Sequence, residues 1–211
     1  MHSFPRFLFS LFFFVLPVMS HAIEEPAYEV LRKIGEDIEV RQYAPYVVAE
    51  VLIEADADEA GNLAFPILAG YIFGKNKGKK EFAMTAPVTQ SAAPEKLAMT
   101  APVTQSAVPG AVGSYVIQFV LPKGVTLDSA PEPLDPRVQL REVPANQFAA
   151  IRYSGFWSEA NYREHLDKLR KALQAAELTP SGEPVFSRYN PPFMPWFLRR
   201  NEIWLPLSSV R

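Results

Sequence analysis

Tyr28-Glu29-Val30-Leu31-Arg32-Lys33-Ile34, Gly35-Glu36-Asp37, Ile38-Glu39-Val40-Arg41-Gln42-Tyr43: this stretch opens the reading of the fold. A turn triplet separates two runs that carry β-branched and aromatic residues, the pattern of a paired strand. In the second run Ile38, Val40 and Gln42 alternate with Glu39, Arg41 and Tyr43, the period of two that sends successive side chains to opposite faces. Ala44-Pro45 breaks the run, and the valine-rich Tyr46–Ile53 predicts a third strand. A helix follows, capped by Asp56 or Asp58, running to about Phe73 and stopped by Gly74. Pro66 lies inside it, so a kink or a late start is expected.

Further along, Tyr115–Leu121 reads as a strand, and the stretch 126–136, with Pro131, Pro133 and Pro136, as a connection. Then the order restarts. Val138–Val143 and Gln147–Tyr153 predict strands, Ser158 caps a helix that fades by Glu177, and Val185–Tyr189 and Glu202–Leu207 predict the last two strands. Strands in close succession with segregated helices imply an α+β class with an antiparallel sheet. Two pseudo-symmetric halves, about 27–122 and 137–208, are expected to form one domain over 23–211: a barrel-like layer with two helices packed outside.

Within the first half of this reading the chain repeats itself. Ala83-Met84-Thr85-Ala86-Pro87-Val88-Thr89-Gln90-Ser91-Ala92 recurs letter for letter as Ala98 to Ala107. Each copy alternates like a half-buried strand, and its proline belongs at an edge or a bulge. One copy is expected to fill a slot in the sheet and the other to be peripheral. The second copy is the expected strand, because Tyr115–Leu121 follows it.

The 211 residues carry a net charge of −2, which argues against nucleic acid as a partner. The absence of cysteine excludes disulfides, thiolate metal sites and a cysteine nucleophile. Arg6, the apolar run Phe7–Val18 and Ser20-His21-Ala22 have the layout of an export signal over 1–22, cleaved after Ala22. That implies a periplasmic or secreted protein with no stable membrane insertion after cleavage; an uncleaved anchor is the competing reading. Cleavage removes His2 and His21 and leaves His165 alone, so a three-histidine zinc site is excluded. Nor is there a Gly-x-Ser-x-Gly elbow, a Gly-rich phosphate loop before a helix or a His-Glu-x-x-His motif. The residues favour a binding module over an enzyme.

On a helical wheel Ala60, Leu63, Ala64, Ile67, Leu68 and Tyr71 cover an arc wider than an ordinary core stripe. This reads either as a well-buried helix or as one whose outer edge lines an apolar groove. The basic glycine loop 74–80, with Lys75, reads as a solvated turn or as cations at the mouth of a pocket. His165 flanks the apolar stripe of the second helix, as a packed residue or as an imidazole ligand. Met84, Met99, Tyr43, Tyr46 and Tyr71 read as packing residues that could in principle meet an iron.

Taken together, Tyr28-Glu29-Val30, Ile38–Tyr43, Gly74-Lys75-Asn76, Met84–Val88 with its copy at Met99, Gly155-Phe156, Tyr189–Pro192 and Arg200-Asn201-Glu202-Ile203-Trp204-Leu205 resemble the SOUL haem-binding family, in order and spacing. The resemblance implies a distorted antiparallel β-barrel of two related halves with two helices, and a non-covalently bound haem or other tetrapyrrole. Some members place a histidine, proposed as an iron ligand, where this chain has Gln42, so that coordination is not available here. Other members are thought to hold the porphyrin in an apolar groove beside the first helix. The resemblance then makes Leu63, Ile67, Leu68 and Tyr71 the candidate wall, with Gln42, Lys75 and Arg200 as further binding positions and cations for the propionates. No metal ligand is expected, His165 being the residual candidate for an axial one. The implied function is an exported haem or porphyrin carrier or scavenger. The alternative is an interaction or small-molecule sensing module of the same fold, and a third reading is an enzyme acting on a bound tetrapyrrole.

Overall fold

The run quoted first folds as expected: β1 (Tyr28–Ile34) and β2 (Ile38–Tyr43) pair antiparallel around Gly35, whose φ of +69° suits glycine. The computed structural model describes residues 24–92, 113–190 and 193–208. Within them follow β3 (Tyr46–Ala55), α1 (Ala57–Ile72), β4 (Val88–Ala92), β5 (Gly113–Val120), β6 (Gln139–Val143), β7 (Asn146–Tyr153), α2 (Glu159–Ala175), β8 (Val185–Arg188) and β9 (Asn201–Pro206). The Ser158 hydroxyl accepts from the Asn161 backbone N–H and caps α2, whereas Asp56 stands at the start of α1 without a side-chain cap.

All nine strands form one antiparallel sheet in the order β1-β2-β7-β9-β8-β4-β5-β3-β6. On one side of the β4–β8 pair the order is β8, β9, β7, β2, β1; on the other it is β4, β5, β3, β6. Each side thus includes the strand that precedes the other side's long strand in sequence. β2 leaves β3 to pair with β7, and β6 leaves β7 to pair with β3. The two portions of the chain are interlocked by this exchange. The barrel expected from the sequence is not closed: β1 and β6 end the ladder, and among the described residues no pairing joins them. β1 pairs only with β2, slips at Val30/Arg32 and is mostly exposed.

Opposed residues of an antiparallel pair share a face, so the ladder tells which side each helix covers. Phe119 opposes Val88, Val88 opposes Arg188, and Arg188 opposes Asn201, which precedes Ile203 by two. Phe119 packs with α1 and Ile203 with α2. Both helices therefore lie on the same face. Under α1 are Ala60, Ala64, Leu68, Tyr71 and Ile72 against Val47, Ala49, Val51 and Ile117; under α2, Leu166, Leu169 and Leu173 meet Ala149, Ile151 and Ile203.

The opposite face is buried too. Tyr43, Ala86, Phe148, Ala150, Tyr189 and Trp204 form a third cluster there. Ile203 and Trp204 alternate in β9, yet both are buried, because each face has its own cover. Beside Trp204 lies Glu202, fully buried and ringed by donors. Arg41 reaches it at 2.7 Å and Arg200 at 2.8 Å, while Tyr189 Oη (2.9 Å) and Trp204 Nε1 (2.7 Å) also donate to it.

The slot between β5 and β8 is filled by the first copy of the repeat: Val88–Ala92 is β4, and Ala86 before it is buried in the third cluster. This corrects the expectation that the second copy supplies the strand; that copy lies outside the described residues. The bridge between Phe73 and Glu81 and the bond from Phe82 N to Ile72 O tie the chain to the end of α1 just before the first copy. The tether delivers that copy to the seam.

Candidate functional site

Where β4 meets β8 the sheet is not roofed by either helix, and a cleft of about 750 Å³ opens there between α2 and the first turn of α1. Small-molecule sites span about 300–1,000 Å³. The floor is set by register: Gln90 opposes Phe186, and Arg188 lies two residues further on the same face. Tyr162 and Leu166 of α2 form one wall, and Ala57 of α1 contributes to the other. The Tyr162 ring meets Phe186 at 5.5 Å.

Trp157 closes one end, and its position is fixed by the corner before α2. Gly155 has φ of +114°, and the Asn161 amide donates to the carbonyls of Ser154 and Phe156. Trp157 Nε1 donates to Asn201 Oδ1 at 2.8 Å, and the fully buried Asn201 donates back to Gly155 O. The ring so held meets the Arg188 guanidinium at 4.9 Å, and Phe186 meets the same group at 4.7 Å. A cation over aromatic faces is attracted by their quadrupoles. Gly61 of α1 leaves room for it: a Cβ there would come within 2.9 Å of Arg188 Nη1. Near it Gln90 Oε1 is buried without a hydrogen-bond partner, an unmet acceptor at the cleft floor. Arg163 and Arg170 also line the cleft, with Glu159, Asp167 and Glu183; Arg163 is paired with Glu159 one turn away.

The residues singled out in the sequence do not converge on one place. Leu68 and Tyr71 face the sheet in the core, and the Tyr71 hydroxyl donates to Pro131 O. Ile67 packs at the edge of that core, while Leu63 is 50% exposed. Lys75 follows the end of α1 in solvent, its backbone N–H donating to Gly70 O. Gln42 is half-buried near the end of β2, its amide on Tyr43 O, and Arg200 is committed to Glu25 and Glu202. None of the seven lines the cleft. His165 stacks on Tyr153 with ring centroids 4.1 Å apart, and its Nδ1 lies 2.8 Å from Asn161 O. Among the described residues no group of three or more histidine, aspartate or glutamate side chains is placed to hold a metal ion.

The model of the SOUL heme-binding protein family matches residues 23–206. The chain belongs to the SOUL family. It is 27% identical to Heme-binding protein 1 of Mus musculus over 191 residues, covering 87% of this chain and 93% of the relative. With Heme-binding protein 2 of Mus musculus it shares 29% identity over 194 residues, covering 87% and 86%. Among solved structures, an uncharacterized conserved protein from Listeria innocua superposes with a TM-score of 0.61 at 12% identity, over 82% of this chain and 92% of the other. The EcmrR C-terminal domain superposes at 0.57 with 13% identity, over 87% and 99%. At such identities these two show a shared fold. The family is described as heme-binding, and the cleft has features that match a tetrapyrrole. Its aromatic floor and its arginines suit a flat apolar ring with carboxylate arms; its walls offer no histidine for the iron. Tyr162 reaches the cleft, and burial pushes its phenol up to about 12.

Proposed function

We propose that this protein is an exported carrier or scavenger of haem or a related tetrapyrrole, held non-covalently in the cleft between the helices. The observation that carries the reading is Arg188, a guanidinium seated between Trp157 and Phe186 on the cleft floor. A porphyrin presents a broad apolar face and ionised propionates. The aromatic floor takes the face, and Arg188, with Arg170 at the rim, takes a carboxylate through charge-assisted hydrogen bonds. Membership of a haem-binding family and the names of the relatives support the ligand class. The layout of residues 1–22 supports export; intact mass of the protein from its exporting host is expected to lack Met1–Ala22.

Bound haem would supply an iron with open coordination chemistry. The chain's own residues bind, orient and desolvate the ring. Apolar burial contributes roughly 25 cal/mol per Å² before the entropy of association is subtracted. Metal-free protoporphyrin is therefore expected to bind nearly as tightly as haemin. The test is titration of both into the purified protein, followed by absorbance and by tryptophan quenching, with Gly61→Ala beside the parent. Alanine in place of a helical glycine favours the helix by about 1 kcal/mol, so the variant stays folded. Its methyl group displaces Arg188 and is expected to weaken both ligands about tenfold. Absence of saturable binding at micromolar porphyrin would sink the proposal and leave the sensing or interaction module with another ligand. An unchanged affinity in Gly61→Ala would remove Arg188 from the site.

A further inference from the structure

The charges that line the cleft are sorted along its length. The contacts of Trp157 with Arg188 and of Tyr162 with Phe186 show that α2 and β8 run antiparallel there. At one end Arg188 lies by Trp157, and Glu159 and Arg163 follow in the first turns of α2. Two cations and one anion make that end +1. At the other end stand Asp167 and Arg170 of α2 and, from the connection that leads into β8, Glu183. Asp167 precedes Arg170 by three residues, which makes them neighbours on one helix flank. Glu183 is close too. Burial holds the Tyr162 phenol up at about 12, and beyond burial Arg170 favours its ionised form while Glu183 opposes it. One cation and two anions make this end −1. Glu159 and Asp167 are eight residues apart, about 12 Å of helix, so the two ends are distinct.

We propose that Asp167 and Glu183 set the specificity of the cleft: a tetrapyrrole with carboxylates on one edge is admitted, and one with carboxylates on both edges is rejected. The inference rests on the tetrapyrrole reading of the cleft and adds an orientation and a selection rule to it. Protoporphyrin and haem carry two propionates, both on one edge, with methyl and vinyl groups on the opposite edge. That polarity matches a cleft that is positive at the Arg188 end. Coproporphyrin has the same ring with a propionate on every pyrrole. With one edge at Arg188, its opposite edge brings two further carboxylates to a lining where Asp167 and Glu183 outnumber Arg170. Like unit charges about 4 Å apart in water disfavour each other about fivefold, and specificity is commonly built from such repulsive contacts. Two of them give a loss of at least about tenfold.

The test is titration of the purified protein with protoporphyrin and with coproporphyrin, by absorbance and tryptophan quenching, beside the double variant Asp167→Asn with Glu183→Gln. Both side chains are exposed, and both changes keep size while removing charge. The parent is expected to bind coproporphyrin at least about tenfold more weakly than protoporphyrin. The double variant is expected to bring the two within about threefold and to leave protoporphyrin affinity within about twofold of the parent. Asp167→Glu keeps the charge and is expected to keep the discrimination. Equal affinities in the parent overturn the proposal. So does an undiminished gap in the double variant, which would make size and not charge the basis of selection. A double variant that loses protoporphyrin as well places both carboxylates in the binding wall and overturns the selection rule. Absence of saturable protoporphyrin binding is a different failure: it removes the tetrapyrrole reading, and this inference with it.

Discussion

Replacing Glu202 by glutamine tests whether the buried charge cluster holds the two portions of the chain together. Glu202 Oε2 accepts from Arg41 Nη1 at 2.7 Å, Tyr189 Oη at 2.9 Å and Trp204 Nε1 at 2.7 Å. Its Oε1 accepts from Arg41 Nη2 at 3.2 Å and from Arg200 Nε and Nη2 at 3.0 and 2.8 Å. All six neighbours are donors. A glutamine would aim an amide NH₂ at three of them and leave Arg41, itself 3% exposed, with Glu39 as its carboxylate partner. Arg200 would keep Glu25. Breaking a buried pair by removing one partner costs about 3–5 kcal/mol. With a urea m-value of about 1–3 kcal/mol/M, the midpoint is expected to fall by about 2 M at unchanged slope. A loss below about 1 kcal/mol at pH 7 would refute the reasoning.

The same carboxylate gives the stability profile its acid limb. Burial alone would raise its pKa; the hydrogen bond and charge of Arg41, the charge of Arg200 and the Trp204 N–H overcome this and hold it below the ordinary 4.5. A depressed folded pKa stabilises the native state above the unfolded value, and the contribution is lost as pH falls through the folded one. The parent is therefore expected to lose stability progressively below about pH 4.5. Glu202→Gln has nothing to protonate there, so its curve is expected to be flatter. Parallel curves for the two proteins would show that other carboxylates set the acid limb. The double change Arg41→Met with Glu202→Leu is expected to recover part of the loss, since an apolar replacement leaves no orphaned charge.

Three further outcomes are expected. Trp204→Ala costs about 3–5 kcal/mol in urea unfolding, as for a buried tryptophan; below about 1 kcal/mol, Trp204 is not the centre of the third cluster. Deleting residues 93–107 removes the second repeat copy, keeps β4, and leaves cooperative unfolding intact, each halving of the connection favouring the fold by about 0.6 kcal/mol; loss of the cooperative transition would make both copies structural. His165→Ala leaves haemin affinity within about threefold, well under 1 kcal/mol, because the ring stacks on Tyr153 outside the cleft lining; a tenfold loss with six-coordinate low-spin haem in the parent would make His165 the iron ligand.

The elements were legible because each obeys a local rule. Period-two alternation marked Ile38–Tyr43, and Ser158 marked the start of α2. Strand partners were not, because alternation says that a residue faces one side and never which strand lies beside it. Hence the pairing of β2 with β7 and of β3 with β6, across the exchange, is not written in either strand alone. The two repeat copies are identical, so side-chain chemistry could not choose between them. The choice lies in the tether from Ile72 and Phe82, a long-range constraint.

The candidate cleft was hidden for the same reason. Gln90, Trp157, Tyr162 and Arg188 stand far apart in sequence, and each has an ordinary reading alone: a strand residue, an aromatic before a cap, part of an apolar stripe, a strand-end cation. They become a cleft only because β4 and β8 pair in the middle of the sheet, which places the starts of both helices on either side of one seam. The wide apolar arc of α1 pointed instead to Leu68 and Tyr71, whose size is used in the core. One local sign was present. Gly61 sits early in α1, a helix that also carries Pro66 and Gly70, at a cost of about 1 kcal/mol relative to alanine. A helical glycine with no turn to make is a request for space, and the space is occupied by Arg188.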